Sequence, residues 1–333
     1  MSMKIYGNSE PVRLIAEMIK KKREPHSIII HGDKGLGKKT LAKYIAGQLL
    51  CEEQTGTPCG KCKACRMLEH DSHPDFIVAK PNANGNYIVD ESIRPIVSDA
   101  SILPNEGDLK VYVIPDLDMS VSTAVQVQNI MLKLIEEPPA HVAVILTARS
   151  KEIFLPTIIS RVLSLGMIRV SDEESRQYLT ENFPDKTEDE IFQAVLAGRG
   201  NIGRCEEYLN KTAFFSAVIM ARSMANAACR ANEYEMLKAL FQADGKKAVL
   251  REGVFLFSEI VRDACVIRLG DSDRKMSVSC DFSGARELAQ NVSATNLSRL
   301  YDVLWEYINR IDANCNLTLT SNSLAGQICG FLK

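Results

Sequence analysis

The nine residues Gly32-Asp33-Lys34-Gly35-Leu36-Gly37-Lys38-Lys39-Thr40 constrain this chain more than any others. In the pattern G-x-x-x-x-G-K-[ST], glycines let backbone N–H groups cradle phosphates. The lysine reaches the terminal phosphates and the hydroxyl holds Mg²⁺. Gly32, Gly37 and Lys38 fit, and Gly35 adds a third glycine inside the loop. The hydroxyl position, however, is Lys39, whose ammonium would repel the metal. Thr40 comes one residue late, rotated about 100° on a helix of roughly 3.6 residues per turn. Ser27-Ile28-Ile29-Ile30-His31 before the loop reads as a buried strand, and Leu41 to Leu50 after it reads as an amphipathic helix. Strand, glycine loop, helix is the order a phosphate-binding loop requires. The plainer alternative is a tight strand-to-helix turn without a ligand. The chain is expected to have a nucleotide fold with a damaged nucleotide site.

Length and charge narrow the field. A chain of 333 residues is long for one domain and sufficient for two or three. A net charge of −2 supplies no global basic field for nucleic acid, so any DNA contact should be local or shared with partners. No secretory leader and no apolar run long enough to span a membrane is evident, which points to a cytoplasmic protein without a membrane partner. In that compartment, thiols or metal ligands are expected of cysteines rather than disulfides.

Four of the cysteines cluster as Cys51, Cys59, Cys62 and Cys65, with spacing C-x7-C-x2-C-x2-C. Four thiolates suit a tetrahedral, structural Zn²⁺ with no position left for catalytic water. Pro58 and Gly60 permit the tight turn, and Lys61, Lys63 and Arg66 are expected to offset the thiolate charge. An iron–sulfur cluster or a redox C-x-x-C are the alternatives; the first prefers other spacings and the second leaves a cysteine idle. His70 and His73 read as loop residues. Cys205, Cys229, Cys265, Cys280, Cys315 and Cys329 read as dispersed core or surface thiols.

Short apolar runs at 75–79, 110–114, 142–146 and 162–165 alternate with helices expected at 10–22, 38–50, 90–101, 123–137 and 156–160. That alternation predicts a parallel sheet covered by helices on both faces. Beyond Gly166 the strand runs cease. Ser171-Asp172-Glu173-Glu174 opens a helix as a capping box, and another helix is expected from about 204. The stripe Leu297, Leu300, Tyr301, Leu304, Tyr307, Ile308 and Ile311 marks a helix whose apolar face is either core or a partner surface.

A P-loop ATPase also needs an acid at the end of a second strand to hold Mg²⁺. In Val111-Tyr112-Val113-Ile114-Pro115-Asp116-Leu117-Asp118 that place is Pro115, with Asp116 one step later and Asp118 reading as a turn residue. Both protein contributions to the metal are therefore displaced, at Lys39 and at Pro115.

The cysteine knuckle follows the P-loop helix. It is followed by Asn129-Ile130-Met131-Leu132-Lys133-Leu134-Ile135-Glu136-Glu137-Pro138-Pro139, then by Ser160-Arg161. In this order, residues 1–205 resemble the delta-prime family of the bacterial DNA polymerase III clamp loader, an AAA+ family. Residues 206–333 resemble it only in length and helical character. The resemblance implies an α/β AAA+ P-loop domain (1–166, knuckle at 51–65), a small helical lid domain (167–206) and an all-helical collar domain (207–333). It implies a stator-like subunit of a DNA-directed DNA polymerase holoenzyme, seated in a five-subunit ring with gamma/tau-type ATPases and delta. Such a ring places a sliding clamp on primed DNA. Arg161 would be the arginine finger on a neighbour's ATP, Val162 standing where the family's motif has cysteine. Thr147 matches the sensor position, and Gly203 stands where hydrolysing relatives have a lid arginine, with Arg204 one step on. Gly32, Gly35, Gly37, Lys38, Thr40, Asp116 and Thr147 remain a degenerate nucleotide site, with ATP and Mg²⁺ binding in doubt. Two rival functions stay open: a self-sufficient ATPase in which Thr40 and Asp116 replace the usual ligands, and a zinc-dependent nucleic-acid module.

Overall fold

The structure, a computed structural model, describes residues 4–83, 86–119, 124–270 and 277–332. The chain divides into two compact units, residues 1–170 and 171–333. The first contains, in order, α1 (Ser9–Lys20), β1 (Ser27–His31), α2 (Lys38–Leu50), α3 (Lys63–Glu69), β2 (Phe76–Val78), α4 (Arg94–Asp99), β3 (Lys110–Ile114), α5 (Ala124–Glu136), β4 (Val142–Ala148), α6 (Pro156–Ile159) and β5 (Leu163–Gly166). Among the described residues the strands form one sheet in the order β2-β3-β4-β1-β5, and every recorded pairing is parallel.

Period-two alternation distributes the strand side chains between two cores. Ile29, Tyr112, Ile114, Val144 and Leu146 pack on one face with Val127 and Met131 of α5. Ile28, Ile30, Val111, Val113, Ala143 and Ile145 pack on the other with Ile15 of α1 and Leu41 and Ile45 of α2. Strands covered on both faces must be apolar throughout, hence the uninterrupted runs. The central place of β1 fixes the glycine loop. Gly32 N–H donates to the Ala148 carbonyl (3.2 Å), and Met167 N–H donates to the His31 carbonyl (2.8 Å). The Asn8 side chain, from a left-handed residue (φ 47°), donates to the Ile168 carbonyl and accepts from its N–H. Those bonds hold the start of α1 to the chain leaving β5.

The expected elements are found, with local differences at their ends. The helix expected at 90–101 opens as a wide π-type turn, Val89–Ile93, and becomes α-helical only at Arg94. Pro95 occupies its first turn, where a missing N–H costs nothing. The strand at 75–79 shortens to Phe76–Val78 because the buried Asp75 carboxylate accepts from the Asn105 and Glu106 N–H groups. Residue 123, expected to start the fourth helix, lies outside the described residues; that helix ends at Glu136, before the prolines.

The second unit is helical: α7 (Asp172–Asn182), α8 (Glu188–Gly198), α9 (Ile202–Leu209), α10 (Ala213–Cys229), α11 (Glu233–Phe241), α12 (Lys247–Arg268), α13 (Phe282–Asn291), α14 (Ala294–Asp312) and α15 (Leu317–Leu332). Ser171 and Glu174 form the expected capping box, and Thr187 and Glu190 form another at α8. The helix expected from 204 begins at Ile202, because the Asn201 side chain caps it by accepting from Arg204 N–H. One apolar cluster runs from Leu179 to Cys329. The stripe on α14 belongs to that core: Leu297, Leu300, Leu304, Tyr307 and Ile311 are fully buried, and Tyr301 is half-buried against it. Among the described residues no helix is long and apolar enough to cross a membrane.

Truncating a fully buried leucine removes its transfer energy and leaves a cavity. Leu304→Ala is therefore expected to destabilise the chain by about 2–5 kcal/mol in urea unfolding. A loss below about 0.5 kcal/mol, the range of surface substitutions, would contradict its core placement.

Candidate functional site

The carboxyl ends of β1, β3 and β4 bring the displaced nucleotide machinery together, where open parallel sheets usually bind ligands. Gly32 needs its glycine: a Cβ there would lie 2.9 Å from the Met167 carbonyl oxygen, at φ 149°. Gly37 (φ 86°) turns the chain into α2 as its N-cap. Lys38 is 5% exposed, and its ammonium donates to the loop's own carbonyls, at Gly32 (2.8 Å) and Asp33 (3.0 Å). Burial pushes the Lys38 pKa below the usual lysine range, only partly opposed by Asp116 and Asp118.

The two displaced metal positions meet. Lys39 Nζ lies 2.7 Å from Asp116 Oδ2, so an ion pair spans the place that a hydroxyl, a metal and a strand-end carboxylate would share. Asp116 sits in the left-handed region (φ 49°), and its N–H donates to Thr147 Oγ1 (2.8 Å). The buried Thr147 hydroxyl is thus engaged in shaping the turn that presents Asp116. Tyr87 donates its hydroxyl to the Pro115 carbonyl. Asp118 is more than a turn residue: its carboxylate accepts from Arg149 N–H (3.1 Å) and pairs with Arg149 Nε (3.2 Å). Thr40 is exposed on α2. These groups do not fit Mg²⁺, a small cation that demands near-octahedral oxygen ligands. Where its ligands would stand there is an ammonium already bound to the nearest carboxylate.

Arg161 follows α6. Its Nη1 donates to the Thr157 carbonyl (2.9 Å) and to Ser160 Oγ (3.0 Å), and its Nε pairs with Glu136 Oε1 at 3.4 Å. The side chain stays 45% exposed. Exposed ion pairs contribute about 0–1 kcal/mol, so Arg161 can exchange Glu136 for another anion at little cost. In the helical unit, Gly203 lies in the first turn of α9. Its neighbour Arg204 is engaged inside that unit, 2.8 Å from Glu252 and stacked over the Phe214 ring.

The Cys51, Cys59, Cys62 and Cys65 sulfurs all lie within 4.8 Å of one another and can hold a metal ion. Cys59 and Cys65 are 4.0 Å apart, near the roughly 3.8 Å spacing of a tetrahedron with Zn–S of about 2.3 Å. Cys62 N–H donates to Cys59 Sγ (3.3 Å), which favours the Cys59 thiolate, and Cys65 N–H donates to Cys62 Sγ (3.4 Å). Backbone N–H groups of Lys61 and Cys62 hold the Cys59 thiol down, at about 7, whereas burial pushes Cys51 and Cys65 up. Two of the three cations near the cluster are paired with carboxylates. Lys61 pairs with Glu53 (3.2 Å) and Lys63 with Glu106 (2.7 Å), so their charge is largely taken up by carboxylates. His70 is exposed, and His73 Nδ1 accepts from Asp75 N–H (3.1 Å), outside the sulfur cluster.

Several of these partners were not apparent from the motifs. Tyr87 and Arg149 carry no local signature, and the motif that contains Glu136 does not reveal its pairing with Arg161. Gly56 did carry a signal, as a glycine just before the knuckle. A Cβ there would lie 2.7 Å from the Ala16 carbonyl oxygen of α1.

Residues 7–170 match the family described as "DNA polymerase III, delta subunit". The chain is similar to DNA polymerase III subunit delta' of Pseudomonas aeruginosa, 29% identical over 178 residues, covering 53% of each chain. It is similar to DNA polymerase III subunit gamma of Buchnera aphidicola, 33% identical, covering 53% of this chain and 47% of that one. It is also similar to subunit delta' of Bacillus subtilis, 24% identical, covering 92% of this chain and 91% of that one. The matched stretch therefore spans about half the length of the first two relatives and nine-tenths of the third.

Lys39 and Asp116 are both substantially exposed, 65% and 36%. Lys39→Ala is accordingly expected to change unfolding free energy by less than about 1 kcal/mol in urea denaturation. A larger loss would mean that the pair supports the fold rather than occupying a site.

Proposed function

The chain is a member of the clamp-loader AAA+ family, which its residues 7–170 carry, and from this we propose that it serves as a non-hydrolysing subunit of the DNA polymerase III clamp loader. The observation that carries the reading is the Lys39–Asp116 ion pair at 2.7 Å. Phosphoryl transfer depends on a metal bridging the phosphates and neutralising developing charge. A fold that keeps the loop but closes the metal position with its own ion pair contributes shape rather than turnover.

The likeness to delta' and gamma subunits supports partners of the gamma/tau and delta kind, with this chain as the stator of a ring that places a sliding clamp on primed DNA. In this reading residues 167–206 act as lid and 207–333 as collar, in a cytoplasmic assembly. Arg161 is the chain's chemical contribution. Exposed and held only by Glu136 and a helix end, it can turn to the γ-phosphate at a neighbour's site, where an arginine finger is worth about 10³–10⁵ in rate. The four cysteines hold a structural Zn²⁺ that fixes the turn between α2 and α3. With four protein ligands the metal has no open position for water.

Purified chain with ATP and Mg²⁺ is expected to show no turnover above background. Turnover abolished by Lys38→Ala would instead support a self-sufficient ATPase. In a ring reconstituted with gamma/tau-type and delta subunits, Arg161→Ala is expected to lower DNA-stimulated ATPase by the share of one site while leaving the chain folded by circular dichroism. Unchanged ATPase removes the finger role. Elemental analysis is expected to find about one Zn²⁺ per chain. A chelator should release it without global unfolding, because two large apolar cores carry the rest of the first unit. Metal-free native protein would contradict the zinc assignment.

A further inference from the structure

Within the helical unit, α8, α10 and the chain entering α13 enclose a cavity of about 550 Å³. That lies inside the roughly 300–1,000 Å³ range of small-molecule sites. Its wall carries three guanidinium groups, Arg199, Arg222 and Arg286, and the rings of Phe192 and Phe282. None of the three arginines has a carboxylate partner within ion-pair distance among the described residues. Arg199 donates to the Ser277 carbonyl, and Arg222 donates through Nη2 to the Cys280 carbonyl (3.1 Å). Arg222 Nε is buried and has no hydrogen-bond acceptor. Arg286 is exposed and lies over the Phe282 ring, 5.3 Å from its centre. The acid in the wall, Asp281, is engaged as the cap of α13, accepting from Gly284 N–H (3.0 Å) and Ser283 Oγ (2.7 Å).

Among the described residues, the wall thus carries three guanidinium groups without an ion-pair partner against the one carboxylate of Asp281. An anion with several acceptor oxygens would give these guanidinium groups charged partners in place of the backbone carbonyls that two of them now hold. Guanidinium forks match oxyanions such as phosphate in a planar, bidentate way that a spherical ion such as chloride cannot reproduce. Phe192, 40% exposed, lines the same cavity, with the Arg176 guanidinium 5.9 Å from its ring centre. We propose that this cavity binds a small phosphate-bearing anion, of pyrophosphate or nucleoside-diphosphate size, independently of the P-loop in the other unit. The cavity volume of about 550 Å³ suits a small ligand rather than a nucleic-acid strand.

Calorimetric titration of the full chain with pyrophosphate, without divalent metal, tests this. Binding is expected, with Arg222→Gln and Arg286→Gln each weakening it roughly tenfold or more. Arg286 is exposed, so its variant should fold and decides the matter if Arg222→Gln does not. No binding at millimolar pyrophosphate, or equal binding by wild type and Arg286→Gln, overturns the proposal; in the second case the anion sits elsewhere. ADP separates the sources. Equal or tighter binding than pyrophosphate, with the same Arg286 dependence, supports the site and assigns a nucleotide when tighter. Displacement of pyrophosphate by a single-stranded oligonucleotide but not by ADP would overturn the small-ligand assignment.

Discussion

A 2.7 Å contact joins Lys39, at the hydroxyl position of the glycine loop, to Asp116, one step past the strand-end position of an acid. Its position is dictated by the sheet. β1 lies beside β4, and β4 beside β3, so the residues leaving β1 and β3 converge on the same carboxyl edge. A lysine where a hydroxyl belongs would be destabilising beside a cation, and a carboxylate one step late would lack its metal. Each defect neutralises the other. Thr147 and Tyr87 then fix the turn around Pro115 and Asp116 by hydrogen bonds, giving the altered site a defined geometry.

Much of the nucleotide unit was legible in its residues, because strands buried on both faces must be apolar and the glycine loop is local. The displaced metal positions were legible for the same reason, since Lys39 and Pro115 stand at fixed places in short motifs. The ion pair joining Lys39 to Asp116 was not, because it links residues distant in sequence through strand order. The same holds for Glu136 with Arg161, for Arg149 with Asp118 and for Arg204 with Glu252. The π-type turn that precedes α4 was not legible from periodicity. In the helical unit the α14 stripe was ambiguous between core and partner surface until its neighbours were known. The arginine-lined cavity had no motif, as its groups come from α8, α10 and the chain entering α13.

Two sites in the first unit differ in how tightly they are held. The cysteine cluster is drawn together by backbone N–H donation to sulfur, and its thiols are split by environment into one held down and two pushed up. A metal that displaces the remaining protons would lock the turn. Arg161 is the opposite case: exposed, singly paired and free to exchange its partner.

Magnesium dependence of nucleotide affinity is the most direct measure of whether the ion pair has replaced the metal. The dissociation constant of the full chain for ATP, titrated with and without Mg²⁺, is expected to differ by less than about threefold or to be unmeasurably weak in both. Tightening by roughly tenfold or more on adding Mg²⁺, about 1.4 kcal/mol, would contradict it. A metal would then be bound where Lys39 and Asp116 now meet.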